Sequence, residues 1–388
     1  MRIPKPGPIL LGLTAAAALA AVPAAASASS HWSSPVVGHV YVNDNTAGTN
    51  TIGAFDRHAD GSLTREAGSP FAAGGAGTGA GLASQGALQI SPDGRFLIAA
   101  DAGSNQVSVL RISHHGSLRL VDDGVVSSGG VLPVSVAIHG NLVYVANSGN
   151  TDSNYTGFRL HRDGRLEPIP GSAVALPSGS QPGDVLFNGN GSKLAGTRVA
   201  SSMIDSFTVG QDGRLTAAPG SPFPAQGLGP FGSEFRPTNP DQLFVSNAHN
   251  TAMDSGTVSA FRDSGDGVLS SIGSSPFADQ QMAPCWVEIT HNGQFLFTVN
   301  TASGTISRYS ITPGGTLTLL GSTPVRASGG VGAVDARLSP GGRYLYVDES
   351  KLSAVGAFAV HGGNLTELAG SPTALPTGAT PAGIVVTG

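Results

Sequence analysis

Residues Gly86–Gly124 read GALQISPDGRFLIAADAGSNQVSVLRISHHGSLRLVDDG. Four short apolar or alternating runs (LQI, FLIAAD, QVSVLRI and LRLV) are separated by turn residues such as Pro92-Asp93-Gly94 and His115-Gly116. Runs of this length, rich in Val, Ile, Leu and Phe and punctuated by Gly, Asn and Asp, encode antiparallel strands joined by tight turns. The unit recurs at intervals of about 45–50 residues. Its first run returns as VSVAIHGN from Val134, GDVLFNGNG from Gly183, GSEFRPTNP from Gly232, CWVEITHNG from Cys285 and VDARLSPGG from Val334. The second run follows each time, as LVYVAN, KLAGTR, QLFVSN, FLFTVN and YLYVDE. A lone four-stranded sheet cannot bury both of its faces, so the copies must stack, and a ring of sheets does so with few open edges. The pattern predicts an all-β chain: a seven-bladed β-propeller of four-stranded antiparallel blades, with strands A to D counted outwards from the channel.

Six copies are complete, and the chain ends supply the seventh. HVYVND (His39–Asp44) is a strand B with no strand A ahead of it, and AGIVVTG (Ala382–Gly388) is a strand A with nothing behind it. The ring is therefore expected to close by the C-terminal strand joining the N-terminal blade, which removes two edges open to aggregation.

Arg2 and Lys5 precede an apolar stretch, Ile9–Val22, and Ala-x-Ala sites end at Ala26 and Ala28. This is the pattern of a cleaved secretory signal, too short for a comfortable membrane span. The expected organisation is a signal peptide over 1–28, a linker over 29–38 and one propeller over 39–388. The mature protein is expected to be secreted, off the membrane and monomeric. With 56 Gly, 26 Pro and 12% charged residues, turns are abundant and the surface is mild. A net charge of −5 gives no basic patch for nucleic acid. Cys285 is the only cysteine, so no intramolecular disulfide forms, and it reads as a small buried filler.

Strand topology sorts the polar residues between two rims. The ends of strands B align Asp44, Asp101, Asn147, Arg198, Asn247, Asn300 and Glu349. Asn and Asp there suit turn capping. Arg198, having no acceptor, breaks the pattern and suits either a ligand carboxylate or phosphate or a salt bridge to a neighbouring acid. In strands A, Gln89, Glu234, Glu288 and Arg337 share one register, with Asp184, Trp286 and Asp335 two residues earlier in theirs. Alternation turns this set towards the channel. Crowded carboxylates raise one another's pKa, which suits general acid or base work, although a hydrated channel lining has the same composition. His249 follows a strand B and lies on the rim where strands A begin, whereas the other strand-end histidines fall at turns. No two histidines at ligand spacing share that rim, so no metal is expected.

The repeat SPDGRFLIAADAGSNQVSVLRI, with SPGGRYLYV (Ser339–Val347) and HNGQFLFTVNTASGTISRY (His291–Tyr309), resembles the lactonase seven-bladed propeller family. That family includes bacterial 6-phosphogluconolactonases and fungal carboxymuconate cyclases. The resemblance spans the mature chain and implies lactone chemistry without a cofactor, on His, Arg and Glu at the channel mouth. The family's His stands at the start of a strand A, where this chain has Ala87, Ser135, Asp184, Gly232, Trp286, Asp335 and Gly383. The expected function is a secreted lactone hydrolase or cycloisomerase acting on a small carboxylated lactone. Arg198 would hold the carboxylate or oxyanion, Glu288 or Glu234 would activate water, and His249 is the alternative base. Asp184, Trp286, Asp335 and Arg337 would line the substrate site. The alternative is a non-catalytic extracellular binding propeller, with Trp286 and Phe231 stacking on a sugar-like ligand or a protein side chain.

Overall fold

The computed structural model describes Met1 and residues 34–250, 252–325 and 332–388, and its strands run from Val36 to Val386. The targeting segment expected over 1–28 lies, beyond Met1, outside the described residues. No helix occurs among the described residues, which form seven antiparallel sheets. The innermost strands A are Leu88–Ile90, Pro133–His139, Pro182–Phe187, Pro230–Arg236, Pro284–Ile289, Ala333–Leu338 and Ile384–Val386. Blades are numbered here from the one holding Val36, so these strands belong to blades 2 to 7 and, last, to blade 1.

The ring closes as the sequence predicts. Ile384–Val386 pairs antiparallel with the first strand, setting Val40 against Val386 and Val42 against Ile384. Backbone bonds from Asn43 N–H to the Gly383 carbonyl (2.9 Å) and from Thr387 N–H to the His39 carbonyl (2.8 Å) extend the joint. The Arg57 guanidinium adds a bond to the Thr387 carbonyl at 2.9 Å. The first strand starts at Val36, three residues before His39, because Val36 still pairs with His58 across a bulge at Gly38.

Strands B are largely apolar and end on a buried polar residue, because neighbouring blades cover both of their faces; every residue of Phe96–Asp101 and of Leu142–Asn147 is buried. The core is accordingly a set of layers between blades. Ile98 and Val107 of blade 2 pack with Val143 and Val145 of blade 3. Across the ring joint, Val40 and Phe55 meet Tyr346 and Val355.

Strand D is broken in five blades and continuous in two. At the break a serine hydroxyl accepts the strand-C N–H that the ladder would otherwise orphan. Ser69 takes the Ala54 N–H at 2.8 Å, Ser221 that of Ser206 at 3.0 Å, and Ser275 that of Ala260 at 2.7 Å. Blades 2 and 6 lack this serine and keep one long strand D, Leu118–Ser127 and Leu317–Pro324.

Candidate functional site

The ends of strands B form a repeated pair with the third residue of strand C. Asp101 accepts from Ser108, and the Asn247 and Asn300 amides donate to Ser259 and Ser307, each at 2.8 Å. In blade 4 this pair becomes ionic. Arg198 donates from Nε to Asp205 Oδ2 at 2.7 Å, with a second bond from Nη2 to Oδ1, and Asp205 also accepts from the Tyr155 hydroxyl at 3.0 Å. Both charges are nearly sealed, with side chains 11% and 2% exposed. Of the two sequence readings of Arg198, the structure shows the salt bridge. Asp205, in MIDSFTV where blades 2, 3, 5 and 6 carry Ser or Thr, was the legible signal. In blade 7 the pair is vacant: Glu349 faces Gly356, neither of its buried oxygens has a partner among the described residues, and burial pushes it up to about 7.

A segment of chain crosses the channel. Residues Ser84–Gly86, at the end of the Gly-rich stretch Gly74–Gly86, bond to five blades. Val136 N–H donates to the Gly86 carbonyl (2.9 Å) and Gln85 N–H to the Gly183 carbonyl (2.9 Å). The Gln85 amide donates to the Ser233 carbonyl at 3.0 Å and accepts the Val287 N–H at 2.9 Å. Trp286 Nε1 donates to the Ser84 carbonyl at 2.8 Å, and Gly86 N–H reaches Asp335 at 3.3 Å. Gly232 permits this approach, since a Cβ there would run into the Gln85 side-chain oxygen.

The strap leaves a cavity on each side. Towards the rim where strands A end lies a polar vestibule of about 160 Å³, lined by Gln85, Gln89, Asp184, Ser233, Glu234 and Arg337. Towards the rim where they begin lies an apolar cavity of about 300 Å³, whose wall includes Leu82, Phe231, Trp286, Val334 and Ala382.

The expected register thus brings Glu234, Glu288, Arg337, Asp184 and Asp335 together. Arg337 Nη1 donates to Glu288 Oε2 at 3.1 Å, while Leu338 N–H holds Glu288 Oε1 at 2.8 Å. Ile289 N–H donates to Glu234 Oε2 at 2.6 Å, and no group among the described residues is bonded to the other Glu234 oxygen. Burial first, then the Glu288 charge, pushes Glu234 well above the usual carboxylate range. Glu288 is raised by burial too, and the Arg337 charge opposes the rise. Asp184 accepts from Ser233 N–H (2.9 Å) and Oγ (2.7 Å), yet burial lifts it to about 7. Asp335, bonded to Ala336 N–H at 2.8 Å, is lifted by burial to about 6. The neighbouring carboxylates hold Arg337 in its charged form.

Trp286 and Phe231 lie across the strap from Asp184 and Glu234, on the side that Asp335 also lines, edge to face with ring centres 5.3 Å apart. His249 is exposed and lines neither cavity, and no histidine does among the described residues. Cys285 is buried, and burial pushes its thiol up to about 12. No cluster of His, Cys, Asp or Glu among the described residues has metal-holding geometry. The strap was missed by sequence reasoning, and the long glycine-rich link between blades 1 and 2 was its only trace.

Residues 38–187 and 234–381 match the family described as lactonase, 7-bladed beta-propeller. A provisionally assigned 6-phosphogluconolactonase from Bacteroides uniformis superposes with a TM-score of 0.71 at 20% identity, covering 90% of this chain and 99% of that one. The periplasmic gluconolactonase of Pseudomonas aeruginosa superposes with a TM-score of 0.70 at 17% identity, covering 90% of this chain and 99% of that one. No curated protein matches the chain in sequence.

Proposed function

The chain belongs to the lactonase seven-bladed β-propeller family, and on that premise we propose that it is an exported, cofactor-independent lactone hydrolase working in the polar vestibule. The observation that carries this reading is the pairing of a buried carboxyl, Glu234, with a guanidinium, Arg337, on the wall of one small cavity. Apolar cavities of about 150 Å³ accommodate benzene, so 160 Å³ admits one five- or six-membered ring.

In this mechanism the ionised Glu234 accepts a proton from water as the water oxygen attacks the lactone carbonyl. Arg337, 27% exposed, stabilises the oxyanion that forms while Glu288 fixes its orientation. The ring C–O bond then breaks, and Glu234 returns the proton to the leaving oxygen, giving a hydroxy acid. Arg198 is committed to Asp205, so among the described residues the vestibule offers a single cation, Arg337. If that cation serves the oxyanion it cannot also hold a substrate carboxylate, and the reading that gives each group one task is an uncharged lactone.

The test is acid release at constant pH over a panel holding γ-butyrolactone, δ-valerolactone, glucono-δ-lactone and its 6-phosphate. Glu234→Gln keeps the bond from Ile289 N–H and should lower kcat at least about 100-fold, as for loss of a general base. The wild-type rate should rise with pH as Glu234 ionises. An unchanged rate in Glu234→Gln moves the chemistry elsewhere. No turnover by folded protein on any member of the panel favours the non-catalytic binding propeller.

A further inference from the structure

We infer that the cavity on the far side of the strap is a second site, which takes a neutral monocyclic aromatic molecule bearing a hydroxyl group. It is separated from the vestibule by Ser84–Gly86 and therefore does not depend on the hydrolase reading.

Its wall is apolar where a ring would lie. Leu82, Phe231, Trp286, Val334 and Ala382 supply the surface, and about 300 Å³ is roughly twice what benzene needs. Phe231 and Trp286 are already steeply inclined, at 69°, an arrangement that leaves ring surface for a third aromatic group. The indole cannot turn away, because Nε1 is bonded to the Ser84 carbonyl on the strap. Exposed Gly81 and Ala83 stand at the lip, which gives the cavity an opening to solvent.

Of the polar side chains in the wall, Thr301 and Ser350 donate to the Ala333 and Gly332 carbonyls, and Ser84 and Asp335 specify the rest of the ligand. Ser84 is 6% exposed and its hydroxyl has no hydrogen-bond partner among the described residues, an unusual state for a buried group. Asp335 is 2% exposed, with one backbone N–H on each oxygen, which leaves acceptor capacity for a ligand O–H. A phenol or benzyl alcohol satisfies both, whereas a carboxylate would be repelled by Asp335. Cys285 also lines the cavity, but burial keeps it a thiol and it forms no bond to the ligand.

Trp286 makes the test direct. The chain has two Trp, and replacing the other in Trp32→Phe leaves Trp286 as the sole indole reporter. The full chain carrying that substitution is titrated with p-cresol, benzyl alcohol and benzoate at pH 7.5, following Trp286 emission. The expected result is a saturable one-to-one change with p-cresol and benzyl alcohol, and at least about tenfold weaker binding of benzoate. Ala382→Phe, which fills the cavity, should abolish the change. Val334→Phe fills it from the half-exposed lip and serves the same purpose should Ala382→Phe fail to fold. No saturable change with either alcohol, a change that persists in a folded filled variant, or benzoate binding as tightly as p-cresol would overturn the assignment.

Discussion

Replacing Gln85 by Ala should test whether the strap holds the ring together from inside. The side chain is 6% exposed and joins blade 5 to blade 6 through Ser233 and Val287. Each of its two bonds contributes about 1 kcal/mol net. The larger loss is the Val287 N–H, which sits in a residue 2% exposed and would be left unpaired at about 1–3 kcal/mol. The sum is about 2–4 kcal/mol, with vestibule water setting the lower end. For a domain of about 350 residues, with an unfolding entropy of about 0.7 kcal/mol/K, that is a fall in Tm of about 3–5 °C by calorimetry. Gln85→Glu refines the test. As a neutral acid it can still donate to the Ser233 carbonyl and accept from Val287; ionised, it sets oxygen against oxygen. Its folded pKa would therefore lie above the unfolded value near 4, so its stability relative to wild type is full at acidic pH and falls as pH rises. Scans at pH 5 and pH 8 should show a deficit that is small at the first and large at the second. A Gln85→Ala protein melting within about 1 °C of wild type would refute the bridging role.

Three further outcomes follow from the same geometry. Arg198→Ala leaves Asp205 buried without its cation and should cost about 3–5 kcal/mol in urea unfolding, whereas Arg198→Asn with Asp205→Ser rebuilds the neutral pair of other blades and should recover most of it. Failure of the double variant to recover would show that the ion pair does more than fill the repeat. Removing Ala382–Gly388 deletes the strand paired with Val40–Val42 and exposes an edge, so the truncated chain should aggregate on size-exclusion chromatography; a monomeric, cooperatively melting product would contradict ring closure as the source of stability. Burial raises Asp44 and Asp184 to about 7 and Asp101 and Asp335 to about 6. The folded protein holds protons that the unfolded chain has released above pH 4, so stability should fall as pH rises from about 4 to 7, and a Tm that climbs over that window would reverse the argument.

How much was legible depends on whether a feature repeats. The strand-A register put Glu234, Glu288 and Arg337 on the channel because alternation leaves no other face for them. Arg198 was visible as an exception, yet its task was decided by Asp205, seven positions on in the chain and adjacent only across the B–C hairpin. His249 shared a rim with the candidates by topology, but a rim is wide, and its side chain stands exposed outside both cavities.

Sequence alone determined the blade, the count of seven and the closing strand, because each rests on local periodicity and turn chemistry copied along the chain. The two-cavity channel was decided only by tertiary structure. Gln85 belongs to a glycine-rich link with no periodicity to read, and its partners Ser233 and Val287 are brought within bonding distance only when the ring closes. The charge states within the channel have the same origin. A carboxyl takes its pKa from burial and neighbours, and for Glu234 the neighbours are Glu288 and Arg337, on two other blades.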